Sequence, residues 1–396
     1  MILVINAGSS SMKFQLYKIN ANNDFEVICK GLAERIYLDG RFTIKYKGEE
    51  FETEEQLPDH SATAKVLINK LKEHKVINDF SDIKGIGHRI VHGGERFTQS
   101  TIITDEVFME IKKMITLAPL HNPPAIAAIK AFRNIIAVPN VAVFDTSFHT
   151  TISEENYLYS VPYEWYTDHQ VRRYGFHGIS YRYITNHLAK ILEKPVEEVN
   201  AVICHLGNGA SMCAVKKGKS FDTSMGLTPL EGLIMGTRSG DIDPSIHQYI
   251  ATETGQDLAT ITDILNKKSG LLGISGVSSD LRDVFASSKE NQRSRLALKM
   301  SSKRIAKYLL AYANELDGEV DAIVFTAGIG ENSAAMRQLV INNLKILKVD
   351  LDPIANEKKY DSEKLISSTR SILPIYAIRT DEEIMICTDT YNLTKK

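Results

Sequence analysis

Three short loops in this chain combine glycine with small polar residues. The first is Asn6-Ala7-Gly8-Ser9-Ser10-Ser11, followed by Lys13; the second is His205-Leu206-Gly207-Asn208-Gly209-Ala210-Ser211; the third is Gly328-Ile329-Gly330-Glu331-Asn332. Glycine lets the backbone turn its N–H groups toward an anion, and serine or lysine adds donors and charge. The third loop follows an apolar run and precedes a helix opening near Ser333, a strand-to-helix turn that presents free amides. Each loop alone also reads as an ordinary polar turn, and Asn208-Gly209 suits a tight hairpin. Two such turns in corresponding places favour a pair of phosphate-binding loops. Neither GxxxxGK[ST] nor GxGxxG occurs, so a Walker-type or Rossmann site is unsupported.

Charged and imidazole groups lie in further loops. Arg89, in GIGHRIVHGGERF, has apolar neighbours Ile90 and Val91 and is either a paired core arginine or an anion clamp. His88 and His92 have zinc-like spacing only on a helix; the glycines and alternation here indicate a strand, which disfavours metal ligation. His121 sits in a proline-fixed turn, Asp145 leaves a buried strand, His177 follows Phe176, and Arg238 lies in GTRSGDIDP. Any one of these could be a capping or paired structural residue. Arg89, His177 and Arg238 together with three phosphate-type loops suggest a site that neutralises a transferring phosphoryl group.

The elements that must position these groups alternate in type, which indicates an α/β architecture. Residues 2–5 and 13–17 read as strands around the first loop, 201–205 and 212–216 as strands around the second. Further strands are expected at 83–91, 138–144 and 321–326, and helices at 61–75, 105–117, 123–136, 245–254, 258–267 and 293–316. Each half offers a strand–turn–strand unit and later a buried strand ending in polar residues, a weak internal duplication. The acidic stretch 49–55 reads as a solvated loop. The chain has 396 residues, 43% hydrophobic and 24% charged, as expected of a soluble globular protein. Its net charge of −2 argues against a broad nucleic-acid-binding surface. Cys29, Cys204, Cys213 and Cys387 form no CxxC pair, which points to a reduced cytosolic compartment. The apolar run 1–5 is too short for a signal peptide, and Lys130, Arg133 and Asn134 interrupt 125–144, so no membrane span is expected.

The runs INAGSSSMKF, GHRIVHGG, LAPLHNPP, VFDTSFH, YGFHGISY, HLGNGAS, DTSMGLTPLEGLIMGTRSGDIDP, FTAGIGEN and RTDEE resemble, in this order, those of the acetate kinase (acetokinase) family. The resemblance is collinear from Met1 to about Thr390. It implies a duplicated actin-like (ribonuclease H-like) α/β fold of two domains with an interdomain active-site cleft. The domains would be residues 1–147 plus 385–396, and residues 148–384, the second carrying most of the nucleotide site. The implied reaction is Mg2+-dependent, with Mn2+ as a possible substitute. It is a reversible, direct in-line transfer of the γ-phosphoryl group of ATP to acetate, giving acetyl phosphate and ADP. A cytoplasmic homodimer is also implied.

Mapped by motif, Asn6 and Glu382 would bind the metal, and Lys13 would lie near the nucleotide phosphates. His205, Leu206, Gly207, Asn208 and Gly209, then Asp280, Leu281 and Arg282, then Gly328, Ile329, Gly330, Glu331 and Asn332 would surround ATP. Arg89 would hold the substrate carboxylate, and His177 and Arg238 would stabilise the transition state. Asp145 takes the family's proton donor/acceptor position. Physically, a carboxylate oxygen is already anionic and needs no general base, so Asp145 is better assigned to orienting an arginine or a metal-bound water. Val91, Leu120, Phe176 and Pro229 would surround the substrate methyl group. Val91 lies two residues after Arg89, so on a strand both face one side. Asp381 stands where many relatives carry asparagine. The alternatives are a propionate or butyrate kinase of the same family, an actin-like ATPase or chaperone, which has no use for a carboxylate clamp, and a non-enzymatic nucleotide-binding regulator.

Overall fold

The first apolar runs pair as a hairpin, β1 (Ile2–Ala7) antiparallel to β2 (Ser11–Ile19), with Asn6 opposite Lys13. The computed structural model describes residues 1–22, 24–119 and 121–395. β3 (Phe25–Glu34), β4 (Arg41–Tyr46) and β5 (Glu49–Glu54) continue outward as an antiparallel meander. On the other side of β1 come β6 (Gly85–Ile90), β7 (Thr101–Ile102) and β8 (Asn140–Phe144). β1, β6 and β8 are mutually parallel, and the sheet order is β5-β4-β3-β2-β1-β6-β8-β7. Every residue of β8 is buried, as a parallel strand covered on both faces requires.

Leu67, Ile68 and Leu71 of helix His60–Glu73 and Phe132 of helix Asn122–Ile135 pack with Leu3, Ile5 and Phe14 in one core. Helix Glu382–Thr394 lies against β6. A Cβ added to Gly87 would stand 2.3 Å from Thr390 Oγ1 and 2.6 Å from Ile386 Cγ2, so the absent side chain sets this close approach.

The stretch expected as an acidic loop is β5, an edge strand. Phe51 sits opposite Ile44, Glu50 pairs with Lys45 at 2.8 Å, and Glu52 lies 3.4 Å from Arg41. The acidic residues are cross-strand partners that also protect an exposed edge.

The second sheet contains β9 (Ala201–Leu206), β10 (Ala210–Lys216), β11 (Lys219–Thr223), β12 (Ala322–Thr326), β13 (Glu363–Leu365) and β14 (Ile375–Ile378). Its order is β11-β10-β9-β12-β14-β13, with β9, β12 and β14 parallel. The run β11-β10-β9-β12-β14 repeats the order and directions of β3-β2-β1-β6-β8, three antiparallel strands followed by two parallel ones. This is the duplicated actin-like, ribonuclease H-like α/β fold.

The chain divides accordingly into unit 1, Met1–Phe148 with Asp381–Lys396, and unit 2, His149–Thr380. Helix Glu382–Thr394 is one element capped by Asp381, whose carboxylate accepts from Ile384 N at 2.9 Å. The return to unit 1 therefore begins at this cap rather than at residue 385. Among the described residues no helix is long and apolar enough to cross a membrane.

Candidate active site

In unit 1 the parallel strands β6 and β8 end side by side. The chain leaves β8 at Asp145, whose N–H donates to Ile90 O at 2.9 Å. This brings Arg89 and Asp145 together across 56 residues of sequence. Arg89 Nε donates to Asp145 Oδ1 at 3.0 Å and Nη2 to Oδ2 at 2.7 Å. Its Nη1 stands 3.5 Å from Glu382 Oε2. The Asp145 side chain is 2% exposed and that of Arg89 20%. A guanidinium has five N–H donors in a fixed fork, so the edge turned away from Asp145 keeps donors for a further anion. Burial opposes the Arg89 charge, but Asp145 and Glu382 outweigh it and raise its pKa above the ordinary arginine value.

The Glu382 pKa is raised as well, which for a carboxyl disfavours the charged form. Burial, with the carboxylates of Asp145 and Glu383 adding to it, pushes the Glu382 carboxyl up to about 7 against the pull of Arg89. A buried carboxylate held reluctant to ionise is a site where a divalent cation relieves charge. Among the described residues no group of three or more His, Cys, Asp or Glu is arranged to hold a metal ion. Magnesium needs no such cage: it takes one or two protein ligands and completes its shell with water and phosphate oxygens. Glu382 and Asn6 fit that donor set. Lys13, opposite Asn6 on the hairpin, makes a 2.5 Å ion pair with Glu383. Asp381 acts as the helix cap, a position that aspartate and asparagine fill equally well.

In unit 2 the β9–β10 hairpin turns through Gly207-Asn208-Gly209. His177 precedes helix Gly178–Ile191 in a left-handed conformation, φ 59°. Its Nδ1 lies 2.8 Å from Ser211 Oγ, and its ring stacks on His205 with centroids 4.1 Å apart. Arg238 Nη1 donates to Pro229 O at 3.2 Å. No carboxylate stands within ion-pairing distance of Arg238 among the described residues, and burial lowers its pKa. A Cβ built on Gly209 would be 3.5 Å from Arg238 Nη1 and 3.9 Å from His177 Nε2. The arginine and the imidazole thus converge on the glycine loop.

The adjoining cavity, about 560 Å3, is lined by Gly207, Asn208, Asp280, Leu281, Arg282, Gly328, Ile329 and Asn332 of the expected nucleotide set. Ser279, Phe285 and Ser333 line it as well. Sequence reasoning missed these three; a helical reading of 281–287 would have turned Phe285 toward Leu281, one turn earlier. Arg282 Nη2 lies 2.6 Å from Asp280 Oδ2 and holds that carboxyl down to about 2. Six expected residues stand outside the cavity lining. His205 and Leu206 are buried in β9, Gly330 is buried in helix Ala327–Asn332, and Glu331 Oε1 accepts from Thr380 N at 3.0 Å beyond the end of β14. Gly209 lies at the convergence described above, and Lys13 belongs to unit 1.

The expected methyl pocket divides between the units. Val91 follows the end of β6; it and Arg89 are half-buried around the fully buried Ile90, so the alternation persists past the strand. Phe176 is buried in unit 2 and its carbonyl lies 2.9 Å from His149 Nε2, while the Pro229 carbonyl receives Arg238. Leu120 lies outside the described residues.

The model of the Acetokinase family matches residues 1–388. Acetate kinase of Mycoplasma capricolum subsp. capricolum is 51% identical over 399 residues, covering 100% of both chains. The crystal structure of Porphyromonas gingivalis acetate kinase matches with a TM-score of 0.93 and 40% identity over 100% of this chain and 99% of that one. The crystal structure of a propionate kinase from Francisella tularensis subsp. tularensis SCHU S4 matches with a TM-score of 0.92 and 42% identity over 99% of each.

Proposed function

The chain belongs to the acetokinase family, kinases acting on a carboxylate acceptor, and from that premise we propose that it transfers the γ-phosphoryl group of ATP to acetate. The products are acetyl phosphate and ADP, and the transfer is direct, in line and reversible. The observation that carries this reading is the convergence of Arg238, unpaired with any carboxylate among the described residues, and His177 on the Gly209 loop beside a nucleotide-sized cavity. A cation buried without a counter-ion is poised for an anionic partner.

The labour divides between the units. In unit 2, Gly207, Asn208, Gly328 and Ile329 receive the nucleotide, and Phe285 offers an apolar face to its base. Arg238 neutralises charge on the γ-phosphoryl oxygens, and His177 donates a hydrogen bond to one of them, as the bond to ADP breaks. In unit 1, Arg89 holds the acetate carboxylate with the edge that Asp145 leaves open. Both Asp145 oxygens are engaged by Arg89, which supports an orienting role over proton transfer. Glu382 and Asn6 would hold Mg2+, which would neutralise part of the phosphate charge when bound. Lys13 adds a mobile cation near the phosphates. A cytoplasmic homodimer completes the proposal through the family resemblance.

A second reading, propionate as acceptor, is supported by the 42% identical propionate kinase structure. Steady-state turnover with ATP, Mg2+ and each of acetate, propionate and butyrate, beside hydrolysis without acid, tests both. Acetate is expected to give the highest kcat/KM. One methylene changes binding by only about 1–3 kcal/mol, so propionate should be a poorer substrate rather than a rejected one. Equal or higher efficiency with propionate replaces the acetate assignment, and acid-independent hydrolysis alone overturns the kinase reading.

A further inference from the structure

His177 is held by a chain of hydroxyl groups. Ser211 Oγ lies 2.8 Å from His177 Nδ1 and 2.5 Å from Tyr181 Oη. Ser211 and Tyr181 are both completely buried. Among the described residues Tyr181 Oη has no hydrogen-bond partner besides Ser211. Burial holds the phenol pKa well above its ordinary value, so the phenol keeps its proton.

Proton counting selects one arrangement. If Nδ1 carried a proton, it would donate to Ser211 Oγ. The Ser211 hydrogen would then turn to Tyr181, leaving the Tyr181 hydrogen without an acceptor, or Tyr181 would donate and the Ser211 hydrogen would be orphaned. Either outcome strands a hydroxyl hydrogen in a dry interior, which is costly. In the reverse order Tyr181 O–H donates to Ser211 Oγ, and Ser211 O–H donates to an unprotonated Nδ1. Both hydroxyl hydrogens then have an acceptor. An imidazolium fails the same count, and it would put a second positive charge next to Arg238 and against the stacked His205 ring.

We propose that Tyr181 and Ser211 are positioning residues that fix His177 as the neutral tautomer with its proton on Nε2. The nitrogen directed at the Gly209 loop is then a hydrogen-bond donor at all times. It can stabilise a phosphoryl oxygen without a prior protonation step and without adding repulsion to Arg238. The catalytic purpose rests on the phosphoryl-transfer reading; the tautomer does not.

The test is nitrogen-15 NMR of the full-length protein labelled at histidine, with the His177 signals identified by their loss in His177→Gln. The wild type is expected to show the Nε2–H tautomer at neutral pH. Ser211→Ala should lose that bias and lower kcat by on the order of a hundredfold, with KM for ATP and acetate nearly unchanged. Tyr181→Phe leaves Nδ1 as the only acceptor of the Ser211 hydrogen, so it should keep the Nε2–H tautomer and, by freeing the Ser211 hydroxyl to rotate, lower kcat only severalfold. An Nδ1–H tautomer or an imidazolium in the wild type overturns the proposal, whether or not the variants fold. So does an unchanged tautomer in folded Ser211→Ala. A wild type that shows the Nε2–H form yet transfers no phosphoryl group upholds the relay and removes the kinase reading instead.

Discussion

Arg89 and Arg238 carry the same charge in opposite circumstances, and their substitutions should separate accordingly. Arg89→Ala strands Asp145, 2% exposed, beside Glu382. It should cost about 3 kcal/mol of stability as well as activity. Arg238→Ala removes a cation that has no carboxylate partner among the described residues, so its denaturation midpoint should stay at or above that of wild type while transfer falls roughly a hundredfold, about 3 kcal/mol. Urea melts beside kcat measurements check the contrast; normal turnover by a folded Arg238 variant removes it from the site. Gly209→Ala makes a complementary probe. Its Cβ would meet Arg238 and His177 at ordinary contact distances, so stability should change by less than about 0.5 kcal/mol. The methyl would nevertheless stand where the two groups converge, and a misplacement of about 1 Å costs on the order of a hundredfold in rate. At this scale the sequence could present Arg89 only as a core pair or a clamp. Alternation along β6 gives the facing but not the partner, and the partner arrives from the end of β8. Ser279, Phe285 and Ser333 are illegible in the sequence because they carry no charge and lie in or beside short helices whose periodicity spans barely two turns.

The glycines of β6 illustrate what an element does for a site it does not touch. Gly87 has helix Glu382–Thr394 pressed onto it, and that helix presents Glu382 to Arg89. Gly87→Ala should push the helix outward, costing about 1–3 kcal/mol by overpacking. It should also weaken the response to Mg2+ more than nucleotide affinity measured without metal. A urea melt and a Mg2+ titration check both effects; an unshifted helix would leave the two unchanged. The long apolar strands and both glycine hairpins were readable because their residues are buried on both faces or turn at glycine. β5 was not, since its acidic residues look solvated until Lys45 and Arg41 are placed across from them. β13 is three residues long, and helix Glu382–Thr394 mixes polar and apolar residues on every side, so neither shows a period to read.

For the whole molecule, the stability contributed by Asp222 and Glu315 should fall as pH rises from about 5 to 7, against the imidazoles of His88, His92 and His149, which burial pushes down to about 4 and whose contribution grows over the same range. Burial pushes Asp222, on β11, up to about 6 and Glu315, ending helix Gln292–Glu315, up to about 7, although Arg173 pulls both down. In the unfolded chain both ionise near pH 4, so between these values the folded state holds more protons than the unfolded one. Their contribution is complete below about pH 4 and is lost through their folded pKa values, no more steeply than about 1.4 kcal/mol per pH unit for each group. Glu315→Gln should make the urea midpoint, read at pH 5, 6 and 7.5, rise more or fall less with pH than in wild type; an identical slope would remove Glu315 as a source of the pH dependence. The division of the chain also sets an order of events during synthesis. Unit 2 is inserted between β8 and the helix that covers β6, so residues 381–395 leave the ribosome only after all of His149–Thr380 has been made. At about 5–20 residues per second the face of β6 around Gly85 and Gly87 waits on the order of ten seconds or more for its cover. Until then Arg89 has Asp145 but not Glu382. The nascent chain thus carries every residue that lines the cavity, the last being Ser333, before the carboxylate of Glu382 exists, and a chain cut short ahead of Glu382 would leave Arg89 with Asp145 alone.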